Sequence, residues 1–284
     1  MKLRHIIYRR PIISSVILLG VFFFLLPMVL MVPFFNVHGA DIDLQMFGTY
    51  AIAIVVAAIF FRLTYPDVEM GWGRKGLLIG SAVALLTLAV IFAVVFIFLD
   101  AASLWRYVIG DAQPPFVQFA PTIATVLAIV ALASFEEVIF RGLLLNVLME
   151  RWGGSKRGVY LMLIIPGMVF GALHMYMGDI LTNLVIMLWS GSVGIFWGAL
   201  YLRFGSLWAV MLSHSLFNII SLIPFIIGIE DFRLMVHIID VQNTLVEDTI
   251  THLILSPIVL AMAYFLARGI ETRDKSDEYK FANL

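Results

Sequence analysis

The stretch Ala133-Ser134-Phe135-Glu136-Glu137-Val138-Ile139-Phe140-Arg141 decides how this chain folds. It sits in the middle of an apolar run from about Thr122 to Met149. A helix needs about 20 apolar residues to cross a bilayer, so this run is long enough. Three charged side chains near the bilayer centre cost about 2.5–3.5 kcal/mol each, together about 8 or 9 kcal/mol. About 15 Leu, Ile, Val and Phe residues in the same run return about 7 kcal/mol. The helix is marginal alone. Its charges must face a protein interior or a wet cavity and must find partners there.

Spacing supplies one partner. Glu137 and Arg141 stand at i and i+4, share a helical face and can pair, with the acid at the favoured N-terminal position. Glu136 points about 100° away from Glu137 and has no cation at i±3 or i±4. An intramembrane acid without a local partner is a functional candidate.

The rest of the chain agrees with a membrane setting. Of 284 residues, 62% are hydrophobic and only 13% are charged. About a quarter of an average soluble domain is charged. A soluble globule could not cover so much apolar surface, and a disordered chain would be polar and highly charged. The net charge of −1 argues against a nucleic-acid partner. The lack of cysteine excludes disulfides, iron–sulfur clusters, thiolate zinc sites and cysteine nucleophiles.

Apolar runs predict eight spans in one membrane domain covering residues 1–284. They are about 12–35, 46–63, 77–99, 122–149, 159–175, 180–202, 207–229 and 250–267. The fold class is therefore an all-α polytopic membrane protein. The basic start MKLRHIIYRR precedes a run too long for a signal peptide, so it reads as a retained first span. Pro166-Gly167 marks a candidate break in the fifth helix. Gly194-Ile-Phe-Trp-Gly198 reads as a close-packing GxxxG, and Asn183 is an unexplained polar residue on the same span. Trp72, Trp105, Tyr201 and Trp208 read as interface anchors. His5, His38, His237 and His252 sit at or beyond span edges and receive no role.

Two further motifs lie on separate late spans. The fifth ends with Phe170-Gly-Ala-Leu-His174, and the seventh carries His214-Ser-Leu-Phe-Asn218. His214 and Asn218 present two hydrogen-bonding groups on one face. From the predicted span ends, at 1.5 Å per residue, Glu136 lies about 20 Å deep, His174 about 23 Å, His214 about 10 Å and Asn218 about 16 Å. All fall within the hydrocarbon zone, but they are not level.

An EExxxR, an FxxxH and an HxxxN in that order resemble the CPBP (CAAX protease and bacteriocin-processing) family, also called the Abi or type II CAAX prenyl protease family. The residues are Glu136, Glu137 and Arg141, then Phe170 and His174, then His214 and Asn218, and Phe204-Gly-Ser-Leu-Trp208 also fits. The resemblance covers about 120–222. It implies eight helices around an intramembrane cavity and hydrolysis of a peptide bond in a membrane-anchored peptide or protein. It implies that Glu136 activates water with help from His174, that His214 and Asn218 stabilise the oxyanion, and that Glu137, Arg141 and Phe170 support them. The bottom-up chemistry agrees, since a carboxylate sheltered from water can act as a general base near neutral pH. No cofactor is expected. The runner-up is a zinc protease with Glu136, His174 and His214 as ligands. Other readings are a proton-coupled transporter and a non-catalytic immunity protein on the same fold. A transporter usually carries paired repeats, whereas these intramembrane polar residues all follow residue 130.

Charge sets the expected orientation. With eight spans both termini share a side, and fifteen Lys and Arg lie on it, against Arg106 and Arg233 on the other. That places both termini in the cytoplasm, and the expected location is the plasma membrane of a prokaryote. A reporter fused after Leu284 should be active only on the cytoplasmic side; activity outside would overturn this topology.

Overall fold

A computed structural model of the chain describes residues 4, 7, 9–35, 42–66, 68, 70–72, 76–98, 123–175, 179–226, 245–270 and 272. Its described residues contain no strand. They form eight helical rods at the eight expected spans. Helix α1 is Pro11–Leu19, a π-helical stretch Gly20–Leu25 and Leu26–Phe35. Helices α2 and α3 are Ile42–Thr64 and Leu77–Phe98. Helix α4 is Ile123–Glu137, a π-helical turn Val138–Leu144 and Leu145–Trp152. Helices α5, α6, α7 and α8 are Lys156–Ala172, Ile180–Phe204, Leu207–Ile226 and Leu245–Arg268. Trp105, His5, His38 and His237 lie outside the described residues.

Four of the rods are long and apolar enough to cross a membrane: Pro11–Met31 in α1, α2, Ile123–Trp152 and α6. The stretches Leu77–Ile91, Leu207–Ile220 and His252–Arg268 are shorter but also apolar. Their outward faces carry side chains such as Val16, Leu63, Leu78 and Phe265, all well exposed in the absence of lipid. The chain is an all-α polytopic membrane protein.

Helix α6 lies at the centre, packed on α5 and α8. Small residues let its backbone close on α5. A Cβ at Gly171 would stand 2.2 Å from the Met187 carbonyl oxygen, and one at Gly167 would stand 2.4 Å from Ile195. Gly194 faces Phe170 and Gly167 across the same seam. This seam also explains why Pro166 does not break α5, contrary to the sequence expectation. The helix runs unbroken through it, with both Pro166 and Gly167 buried. Neighbouring helices commonly hold a proline-containing span together in this way.

The ends are clasped by polar contacts. Lys156 donates to the carbonyls of Arg268 and Ile270, and Arg203 donates to that of Gly269. Two cations thus satisfy the orphan carbonyls at the C-terminus of α8 and complement its dipole. At the start of α6, Asp179 accepts from the backbone N–H groups of Leu181 and Thr182. Hydrogen bonds from Thr182 hold its carboxyl below the usual range. Asn183 finds a partner there, donating to the Asp179 carbonyl at 3.2 Å.

The connection between α2 and α3 is tucked against α6 and α7. Leu207 N–H donates to the Gly71 carbonyl at 2.8 Å, and Trp208 Nε1 donates to the Trp72 carbonyl at 2.8 Å. Gly76 has φ +73°, and a Cβ there would lie 1.8 Å from the Phe204 carbonyl oxygen, so only glycine fits. Tyr201 is not an interface anchor. It is buried, with its hydroxyl donating to the Met70 carbonyl at 3.3 Å.

Candidate active site

Glu136 and Glu137 close the α-helical part of α4, immediately before its π turn. The Glu137 side chain is fully buried. Its Oε1 accepts from Arg141 Nη1 at 3.0 Å and from His214 Nδ1 at 2.8 Å. The i, i+4 pair expected from spacing is therefore present, and a histidine from α7 shares the same oxygen. Among the described residues Glu137 Oε2 has no hydrogen-bond partner.

Arg141 is held on every side. Its Nη2 donates to the Gly194 carbonyl at 2.8 Å. Its guanidinium carbon lies 4.9 Å from the Phe170 ring centroid, 5.6 Å from Trp197 and 5.7 Å from Phe140. A cation among three ring faces is stabilised by their quadrupoles, and more so away from water. The small residues of the α5–α6 seam bring the Gly194 carbonyl within reach.

The His214 ring stacks on Trp197 at 4.0 Å with an interplanar angle of 27°. Trp197 is itself fixed by Nε1 donating to Ser213 Oγ at 3.1 Å. With Nδ1 committed to Glu137, His214 presents Nε2 to Glu136, whose Oε2 is 3.6 Å away. So the partner missing from the α4 sequence around Glu136 comes from α7. The Glu136 side chain keeps 12% of its surface exposed, against none for Glu137.

His174 lies in the turn just after α5, half-buried, with Nδ1 2.8 Å from the Phe170 carbonyl. A carbonyl can only accept, so Nδ1 carries the hydrogen and Nε2 is left free. His174 is close enough to Glu136 to act on its charge. Phe170 lies between the two histidine rings, at 4.6 Å from His174 and 5.9 Å from His214. Asn218 follows His214 by one turn, half-buried, and its side chain makes no hydrogen bond among the described residues.

Two site residues escaped the sequence reading. Trp197 lies inside the GxxxG of α6, where its neighbours suggested packing alone. Tyr50 on α2 packs its ring 5.2 Å from Phe135 and is close enough to Glu136 to sense its charge. It is one tyrosine in an apolar run, with no spacing to mark it. Among the described residues no group of three His, Asp or Glu side chains is gathered closely enough to hold a metal ion.

Removing one partner from a buried charge pair costs about 3–5 kcal/mol. Glu137→Gln and Arg141→Ala should therefore lower the yield of monodisperse protein in size-exclusion chromatography, whereas Glu136→Gln should not. A normal yield for Glu137→Gln with a collapse for Glu136→Gln would reverse this assignment.

Comparison with known proteins bears on the same region. Residues 118–220 match the family model described as type II CAAX prenyl endopeptidase Rce1-like. No curated protein and no solved structure matches the chain. The matched segment contains Glu136, Glu137, Arg141, Phe170, His174, His214 and Asn218, all the motif residues described above. Over this central segment the chain is similar to the type II CAAX prenyl endopeptidase Rce1-like family.

Proposed function

We propose that this protein is an intramembrane endopeptidase that hydrolyses a peptide bond in a membrane-anchored peptide or protein. Glu136 activates the water, His174 assists, and His214 with Asn218 stabilises the oxyanion. The observation that carries this reading is the Glu136 carboxylate, partly open, 3.6 Å from His214 Nε2 within the segment matched to the family.

The hydrogen bonds and contacts of the site support the following steps. Glu136 takes a proton from water as the hydroxide adds to the scissile carbonyl carbon. The carbonyl oxygen becomes an oxyanion. Once protonated, Glu136 no longer competes for the Nε2–H of a His214 imidazolium, and that hydrogen turns to the oxyanion. Glu137 supports this role, because its carboxylate on Nδ1 orients the ring and offsets the imidazolium charge. Glu136 then returns its proton to the leaving amine as the C–N bond breaks. His174, with Nδ1 tied to Phe170, has Nε2 available to hold the water.

Metal dependence is a separate question. We derive no step through zinc. Purified protein stripped with a chelator should keep its activity. One zinc per chain by elemental analysis, with activity lost on removal and restored on addition, would replace the metal-free mechanism.

The direct test uses protein in its native membrane. Glu136→Gln should fold, lower cleavage by about 10²- to 10⁴-fold and retain bound substrate for capture. His214→Ala should cost about 10² to 10³ in rate, as for other lost oxyanion donors. Cleavage by Glu136→Gln at the unmodified rate would overturn the mechanism.

A further inference from the structure

The π turn of α4 creates a local defect that the chain repairs with one side chain. Within the turn the Leu145 N–H reaches back five residues to the Phe140 carbonyl. From Leu145 onward the helix is α, with bonds reaching back four. Changing from five to four passes over one carbonyl, that of Arg141 or Gly142. An orphan carbonyl in a membrane helix has no water to turn to.

Asn146 fills that gap. Its Nδ2 lies 2.7 Å from the Gly142 carbonyl oxygen and 3.5 Å from that of Arg141. The second hydrogen of the same amide goes to the Tyr201 hydroxyl at 2.7 Å. That hydroxyl in turn donates to the Met70 carbonyl, while the Met70 side chain packs where a Cβ on Gly142 would stand, 3.1 Å away. Carbonyls can only accept, so the amide orientation is fixed by its partners. The π turn is thus anchored through Asn146 to α6 and to the α2–α3 connection.

One extra residue in a helix rotates everything beyond it by about 100°. With that rotation, Glu136 and Glu137 before the turn face His214, while Gly142 within it packs on Met70 and Asn146 beyond it reaches Tyr201. Without it, only one of the two contacts can be kept. We propose that Asn146 is a positioning residue for the reaction. By capping the π turn it fixes the rotation at which the glutamate pair meets His214. The proposal rests on the protease reading above for its kinetic consequence, and on the hydrogen bonds alone for its structural one.

The test compares Asn146→Asp, isosteric but unable to donate, with Asn146→Gln, which keeps the amide, and with Tyr201→Phe. Hydrogen–deuterium exchange and steady-state cleavage are both read on the purified full chain. Asn146→Asp should speed exchange in peptides covering 138–144, with the rest of the molecule and the melting temperature little changed. It should lower kcat by about tenfold to hundredfold, with KM within about twofold. Tyr201→Phe should act in the same direction more weakly, and Asn146→Gln should recover much of the loss. If Asn146→Asp does not fold, Tyr201→Phe carries the same comparison. Unchanged exchange over 138–144, or a loss of activity that tracks a general fall in melting temperature, would overturn the proposal. An unmodified protein that cleaves nothing would count against the protease reading, and the exchange comparison would still judge the role of Asn146.

Discussion

The arrangement depends on one oxygen atom. Glu137 Oε1 is buried and receives both the Arg141 guanidinium and the His214 imidazole. A lone charge at that depth would be expensive, and so would a lone guanidinium. Together they tie α4 to α7, and through the Gly194 carbonyl to α6. Replacing such a network by apolar side chains often leaves stability equal or better, so its presence is poor evidence for stability alone. What it does specify is the orientation of His214, and with it the direction in which Nε2 looks.

Other features follow from serving that oxygen. The glycine seam between α5 and α6 brings the Gly194 carbonyl to Arg141. Phe140, Phe170 and Trp197 surround the guanidinium where water would otherwise be needed. The π turn supplies the rotation that lets α4 satisfy His214 before it and Tyr201 beyond it. π turns of this kind are frequent at functional sites. Glu136 stands one residue outside the Glu137–Arg141–His214 network, near both histidines, and is the carboxylate that keeps some exposure. Two acids thus follow each other in the chain and differ in burial and in partners, Glu137 being fully buried on Arg141 and His214 and Glu136 partly open.

Much of this was legible in the sequence. The eight helices, the Glu137–Arg141 pair and the separateness of Glu136 follow from hydropathy and helical spacing. The depth estimates placed Glu136 and His214 about 10 Å apart along the normal, because predicted span ends were assumed level. The ends are staggered. Helix α4 runs on to Trp152 past the apolar run, with Glu150 bound to Arg4, while α7 starts at Leu207, which is already buried. Pro166 looked like a break because its neighbours across the seam are not near it in sequence. Tyr201 looked like an anchor because an aromatic ring near a span end usually is one. Nothing in the residues of α4 announced the π turn, since its cap, Asn146, depends on a tyrosine 55 positions later.

The central claim is that Glu137 and Arg141 are retained for each other's charge and that either alone is a liability. The most direct measurement is thermal unfolding in detergent of Glu137→Gln, Arg141→Met and the double variant. The account predicts that the double variant melts above Glu137→Gln alone, with a coupling of about 1–3 kcal/mol, because it leaves no uncompensated guanidinium. Losses that simply add would contradict it.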